Sequence, residues 1–138
     1  MLRIVSITIV SLLFLNSCRD KTIQWFNKKW DCVRIDNLDP IDKKTFTSAN
    51  DSANAAKIET ALTELNWTFN DDNSYRCSVG DKTVTQGTYH FAGKKTLICR
   101  SFSGNSINTY NIDVLSEDEL VLSSQESNTH IIMHFRPH

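Results

Sequence analysis

Several chemistries are missing from this chain. It has no Cys-x-x-Cys pair and no Cys and His at zinc-ligand spacing, so no metal site is expected. It has no nucleophile elbow, no glycine-rich phosphate loop and no paired-acid signature, so neither catalysis nor a cofactor is expected. Basic residues occur singly or as the pairs Lys28-Lys29, Lys43-Lys44 and Lys94-Lys95, without a stripe, which argues against a nucleic-acid partner. The acidic run Glu117-Asp118-Glu119 falls in a turn between apolar segments and reads as solvated. Nothing repeats and nothing is of low complexity.

What is present begins at the N-terminus. Arg3 supplies a positive start, Ile4 to Leu15 an apolar run, and Ser17 a small residue before Cys18. The run is too short and wrongly flanked for a spanning helix. Leu15-Asn16-Ser17-Cys18 resembles the end of a bacterial lipoprotein leader, whose peptidase cuts just before a cysteine that is then acylated. The resemblance implies a leader at 1–17, an acylated Cys18 heading a tether at 18–28, and a domain at 29–138. It also implies attachment to a membrane of the bacterial envelope, with the outer membrane's periplasmic face expected. Several acyl chains hold a protein far more firmly than one. With the leader's one arginine removed, 14 basic residues face 16 acidic ones, a net charge of −2.

Beyond Cys18 three cysteines remain, Cys32, Cys77 and Cys99. An odd count in an exported protein allows one bridge, pairing open, and one free thiol. All three fall on strand faces shared with apolar residues, where burial as small hydrophobes is the other reading.

The domain reads as strands. Arg19 to Asn27 is polar, with Trp25-Phe26 placed to lead into the domain or to sit against its base. From Lys28, Trp30, Cys32 and Arg34 share one face and Asp31, Val33 and Ile35 the other. Pro40 marks a loop. Ala49 to Leu65 has helix formers and an apolar face of Ile58, Leu62 and Leu65, the one convincing helix. After it come seven more alternating runs joined by short turns: 66–70, 75–79, 83–91, 96–102, 107–114, 120–122 and 129–136. Eight strands at hairpin spacing predict a mainly β, antiparallel up-and-down barrel, with one helix between strands 1 and 2.

Three segments carry a family likeness: Lys29-Trp30-Asp31-Cys32, the block Trp67 to Tyr75 with Gln86-Gly87-Thr88-Tyr89, and the closing stretch Tyr110 to Leu122 with Phe135-Arg136. Together they resemble the small lipocalin-like domains of bacterial lipoproteins. In lipocalins a Gly-x-Trp opens the first strand, and a basic residue of the last strand lies across that Trp. The resemblance assigns these roles to Trp30 and Arg136; Lys28 stands where the glycine would be.

Tyr75, Tyr89, Phe91 and Leu97 are expected to point inward, as are Tyr110, Ile112, Met133 and Phe135. These eight either line a pocket for a small apolar ligand, which is the function expected here, or fill the barrel. In the second case the barrel binds protein, as an inhibitor of a cell-wall hydrolase does. Tyr75-Arg76-Cys77 resembles the Tyr-x-Cys segment of periplasmic lysozyme inhibitors, although Ser103-Gly104-Asn105-Ser106-Ile107 has no tyrosine where their loop carries one. His130 and His134 share the outer face of the last strand without a carboxylate on that strand, and read as surface residues, as does His90. Terminal His138 is expected to fray.

Overall fold

A computed structural model describes residues 21–37, 60, 63–125 and 130–138. A short helix, α1 (Lys21–Phe26), leads into β1 (Lys29–Asp36). Then follow β2 (Leu65–Phe69), β3 (Ser74–Val79), β4 (Lys82–Phe91), β5 (Thr96–Ser101), β6 (Ile107–Leu115), β7 (Leu120–Ser124) and β8 (Ile132–Pro137). Each strand pairs antiparallel with the next, and β1 pairs with β8 to close the barrel. The expected barrel is the observed one. Most of the expected helix lies outside the described residues. Within it Thr60 and Thr63 are helical, whereas Leu65, expected to end it, opens β2.

Strand alternation delivers the core. Trp30, Trp67, Phe69, Tyr75, Tyr89, Leu97, Leu122 and Phe135 are all buried. Bulges break the alternation at Cys32/Arg34 in β1 and at Ile112/Val114 in β6. An extra residue in one strand reverses every side chain beyond it. Arg34 therefore faces out and Ile35 packs on the core, the reverse of the simple period-two reading. Val114, expected beside Ile112, is likewise turned to solvent, and Leu115 takes the inner place.

Gly87 marks where β4 and β5 approach most closely. A methyl group there would stand 1.8 Å from the Arg100 carbonyl oxygen, so only glycine fits.

The barrel has two unlike ends. At one end lie α1, the start of β1, the turn at 70–73 and Phe91. The chain between β1 and β2 attaches at the opposite end.

Candidate functional site

The α1 end is built around Phe26. Six residues are too few to hold a helix in water by themselves. Here tertiary contacts hold it. Phe26 is completely buried, its ring centroid 4.2 Å from Phe69, 4.9 Å from Phe91 and 5.4 Å from Tyr89. Trp30 donates its indole N–H to the Phe26 carbonyl at 3.0 Å, satisfying an orphan acceptor of the helix C-terminus. The tether expected at 18–28 thus contains a helix that corks the barrel.

The cation over Trp30 is not Arg136. Register pairs Arg136 with Asp31, whose neighbour Trp30 points inward, so the guanidinium lies exposed on the outer face. Lys28 takes the role instead. Its ammonium stands 5.1 Å from the Trp30 ring centroid and donates to the Glu117 carbonyl at 3.0 Å.

Beside the cork, an open groove of about 580 Å³ runs between α1 and the β2–β3 turn. One side carries Ile23, Gln24, Asn27 and Lys28; the other carries Asn70, Asp71 and Asn73. The turn is held rigidly. Asn73 adopts a left-handed φ of 62°, which asparagine tolerates, and Asn70 donates its N–H to the Ser74 carbonyl at 2.9 Å. Asp72 accepts from the Ser74 N–H at 2.9 Å and from its hydroxyl at 2.6 Å, and these bonds lower its carboxyl pKa. Below, the Tyr89 hydroxyl shares its one proton between Asn27 Oδ1 (2.6 Å) and the Asn70 carbonyl (2.8 Å), tying helix to turn. Burial, with the charges of Asp72 and Asp71 adding to it, pushes the Tyr89 phenol up to about 12, so it stays protonated and donating.

The eight residues expected to line a pocket come together: Tyr89 and Phe91 line the groove as well as packing on the core, and the other six are core alone. Tyr89 and Phe91 lie 5.9 Å apart against Phe26, whereas Trp67 fills the middle, 6.0 Å from Tyr75, 5.5 Å from Tyr110 and 6.2 Å from Phe135. Leu97, Ile112 and Met133 belong to the same cluster. Tyr75 and Cys77, the residues of the inhibitor-like segment, point into that core and present no loop surface. Trp67 Nε1 is buried without a hydrogen-bond partner.

No bridge links Cys32, Cys77 and Cys99; all three are free, buried thiols. Burial pushes Cys32 up to about 11 and Cys77 and Cys99 up to about 12. These are inert thiols. Cys18 lies outside the described residues.

Sequence reasoning missed the histidine partners because they come from another strand. His134 Nε2 is 2.9 Å from Asp36 Oδ2 on β1, and Arg34 Nε is 3.1 Å from Asp36 Oδ1. His138 Nδ1 is 2.7 Å from Asp31 Oδ2, which ties the residue expected to fray. Both clusters tie the outside of the β1–β8 seam. Of the groove residues Tyr89 and Phe91 were expected to line a pocket, whereas those of α1 and the turn were missed, since a six-residue helix and one turn leave no periodic signal. Among the described residues no three His, Cys, Asp or Glu side chains gather closely enough to hold a metal ion, and no helix is long and apolar enough to cross a membrane.

No family model matches this sequence, and no curated protein matches it. Among solved structures it is similar to a DUF4847 family protein from Bacteroides vulgatus ATCC 8482, seen in a crystal structure at 1.00 Å resolution. The TM-score is 0.51 at 15% identity, covering 81% of this chain and 93% of that one, a likeness of fold alone.

Proposed function

We propose that this chain is a lipid-anchored, non-catalytic binding barrel of the bacterial cell envelope, which recognises its ligand outside the barrel, in the groove beside α1. One observation carries the choice of surface. Phe26 and the aromatic core fill the interior behind the groove, while the groove itself is open and its lining divides about evenly between polar and apolar surface. A store for apolar molecules needs an enclosed apolar cavity, and this groove is open to solvent and lined as much by polar as by apolar surface. The anchoring part of the reading rests on the leader and Cys18. Two residues, Arg19 and Asp20, separate Cys18 from Lys21, a span of at most about 11 Å, so an acylated Cys18 would set the α1 end close to the membrane.

A second reading keeps a small ligand inside the barrel, and Trp67 favours it. A buried indole N–H without an acceptor is costly, by about 1–3 kcal/mol, and a ligand carbonyl or ether oxygen would relieve it.

Two measurements test the proposal. Mass spectrometry of membrane-extracted protein should find an N-terminal acylated cysteine, and Cys18→Ala should release the protein from membranes; retention of that variant would remove the anchor. Titration with the apolar fluorophore N-phenyl-1-naphthylamine should show no saturable uptake. Stoichiometric uptake that weakens in Trp67→Phe would replace the groove with the interior site.

A further inference from the structure

We propose that the α1 groove binds a saccharide; the inference rests on the groove being the recognition surface. Its walls carry four side-chain amides, those of Gln24, Asn27, Asn70 and Asn73, and the Asp71 carboxylate, beside apolar surface from Ile23, Phe69, Tyr89 and a partly exposed Phe91. An amide offers a donor pair and an acceptor from one planar group. That is what a sugar demands, since each hydroxyl both donates and accepts. Carboxylates such as Asp71 accept strongly from paired hydroxyls. The exposed part of Phe91 offers an apolar surface for a pyranose C–H face.

The groove's hydrogen-bonding capacity is largely unspent. Asn27 Oδ1 accepts from Tyr89, which leaves its NH2 for the groove. Asn70 donates to Ser74 Oγ at 2.9 Å, which leaves its side-chain oxygen. The backbone beneath them is already fixed by the turn and the Tyr89 bridge, so little ordering is required on binding. The volume of about 580 Å³ lies in the ~300–1,000 Å³ range of small-molecule sites.

Other ligand classes fit less well. Lys28, the cation of this lining, is engaged by Glu117 and Trp30, and Asp71 repels anions, which disfavours phosphate. An acyl chain would strip water from the amides without replacing their hydrogen bonds. A peptide strand finds no edge to extend, because β1 to β8 close on themselves.

The saccharide could be soluble or the headgroup of a glycolipid, and the experiment separates the two. The mature acylated protein in phosphatidylcholine nanodiscs is titrated with chitotetraose, maltotetraose and mannotetraose, followed by saturation-transfer NMR. In parallel, it is floated with phosphatidylcholine vesicles with and without digalactosyl diacylglycerol. The control is Asp71→Ala combined with Asn73→Gly; both positions are exposed, and glycine accepts the φ of 62°. Saturable binding in either arm, at least about tenfold weaker in the double variant with its melting temperature retained, is the expected result. Absence of binding in both arms, or equal binding by the variant, overturns the saccharide. A photo-cross-linker at Gln24, used in cells, tells that failure from failure of the groove. A cross-link to polypeptide without any sugar binding leaves the groove and rejects the saccharide; absence of both rejects the two together.

Discussion

The Lys28 ammonium stands 5.1 Å from the centre of the Trp30 ring and reaches the Glu117 carbonyl at 3.0 Å, joining the start of β1 to the β6–β7 turn. Lipocalin-like barrels are expected to place a cation of the last strand on this indole. Here the cation comes from two residues before it in the chain. The face is covered either way.

Lys28→Met should therefore cost about 0.5–2 kcal/mol in urea unfolding, the range of a cation over an indole. Arg136→Gln removes a charge from the outer face and should change stability by less than about 0.5 kcal/mol. Equal losses, or a larger loss for Arg136, would return the closure role to Arg136.

Gly87→Ala should be among the most damaging single changes. Its added methyl meets backbone of Arg100 and Ser101, which cannot rotate away as a side chain could. Opening the β4–β5 pairing to admit it should cost about 3 kcal/mol or more. Thr88→Ala, one position on and outward-facing, serves as control and should lose less than about 1 kcal/mol. Circular dichroism melts of the two variants decide the matter.

The barrel was legible because alternation survives along most of each strand, so Tyr75, Tyr89, Leu97 and Phe135 declare their inward face in the sequence. The exceptions share a cause. At Cys32/Arg34 and Ile112/Val114 a bulge reverses the parity, and no residue there announces it. Arg136 was misplaced for a related reason: position near the chain end says nothing of facing, whereas pairing with Asp31 does. The groove was hidden more deeply. Its polar residues come from a helix shorter than two turns and from a turn more than forty residues further on, brought together by burial of Phe26 against Phe69 and by the Tyr89 hydroxyl between Asn27 and Asn70.

The three thiols should be silent toward alkylation in the folded protein. Pushed by burial to about 11 or 12, each is thiolate in fewer than about one molecule in a thousand at pH 8. With Cys18 acylated or replaced by serine, iodoacetamide at pH 8 should label none in buffer and all three in urea, read by mass spectrometry. The same shifts set a pH dependence. Folded values lie above the ordinary value of 9.0, so the unfolded chain loses these protons first. Stability is unaffected by them below about pH 9 and falls as pH rises from there toward 12. A denaturation midpoint that rose across that window would contradict the buried, protonated state.

Phe26 is the residue on which the interior and the groove both depend. Phe26→Ala removes a ring packed on Phe69, Tyr89 and Phe91 and should cost about 3–5 kcal/mol. Phe26→Leu keeps most of the volume and should cost less, which makes it the useful variant if the alanine form does not fold. The functional consequence has the opposite sign. Truncation opens an apolar cavity where the ring stood, behind a groove whose lining already includes Phe69, Tyr89 and Phe91. A folded Phe26→Ala protein should then take up N-phenyl-1-naphthylamine saturably where the natural chain does not, with Phe26→Leu between them. The ranking Ala over Leu over Phe in probe uptake is the expected result. Uptake that is equal in all three would mean that the cork does not seal the barrel and that the interior is open by another route.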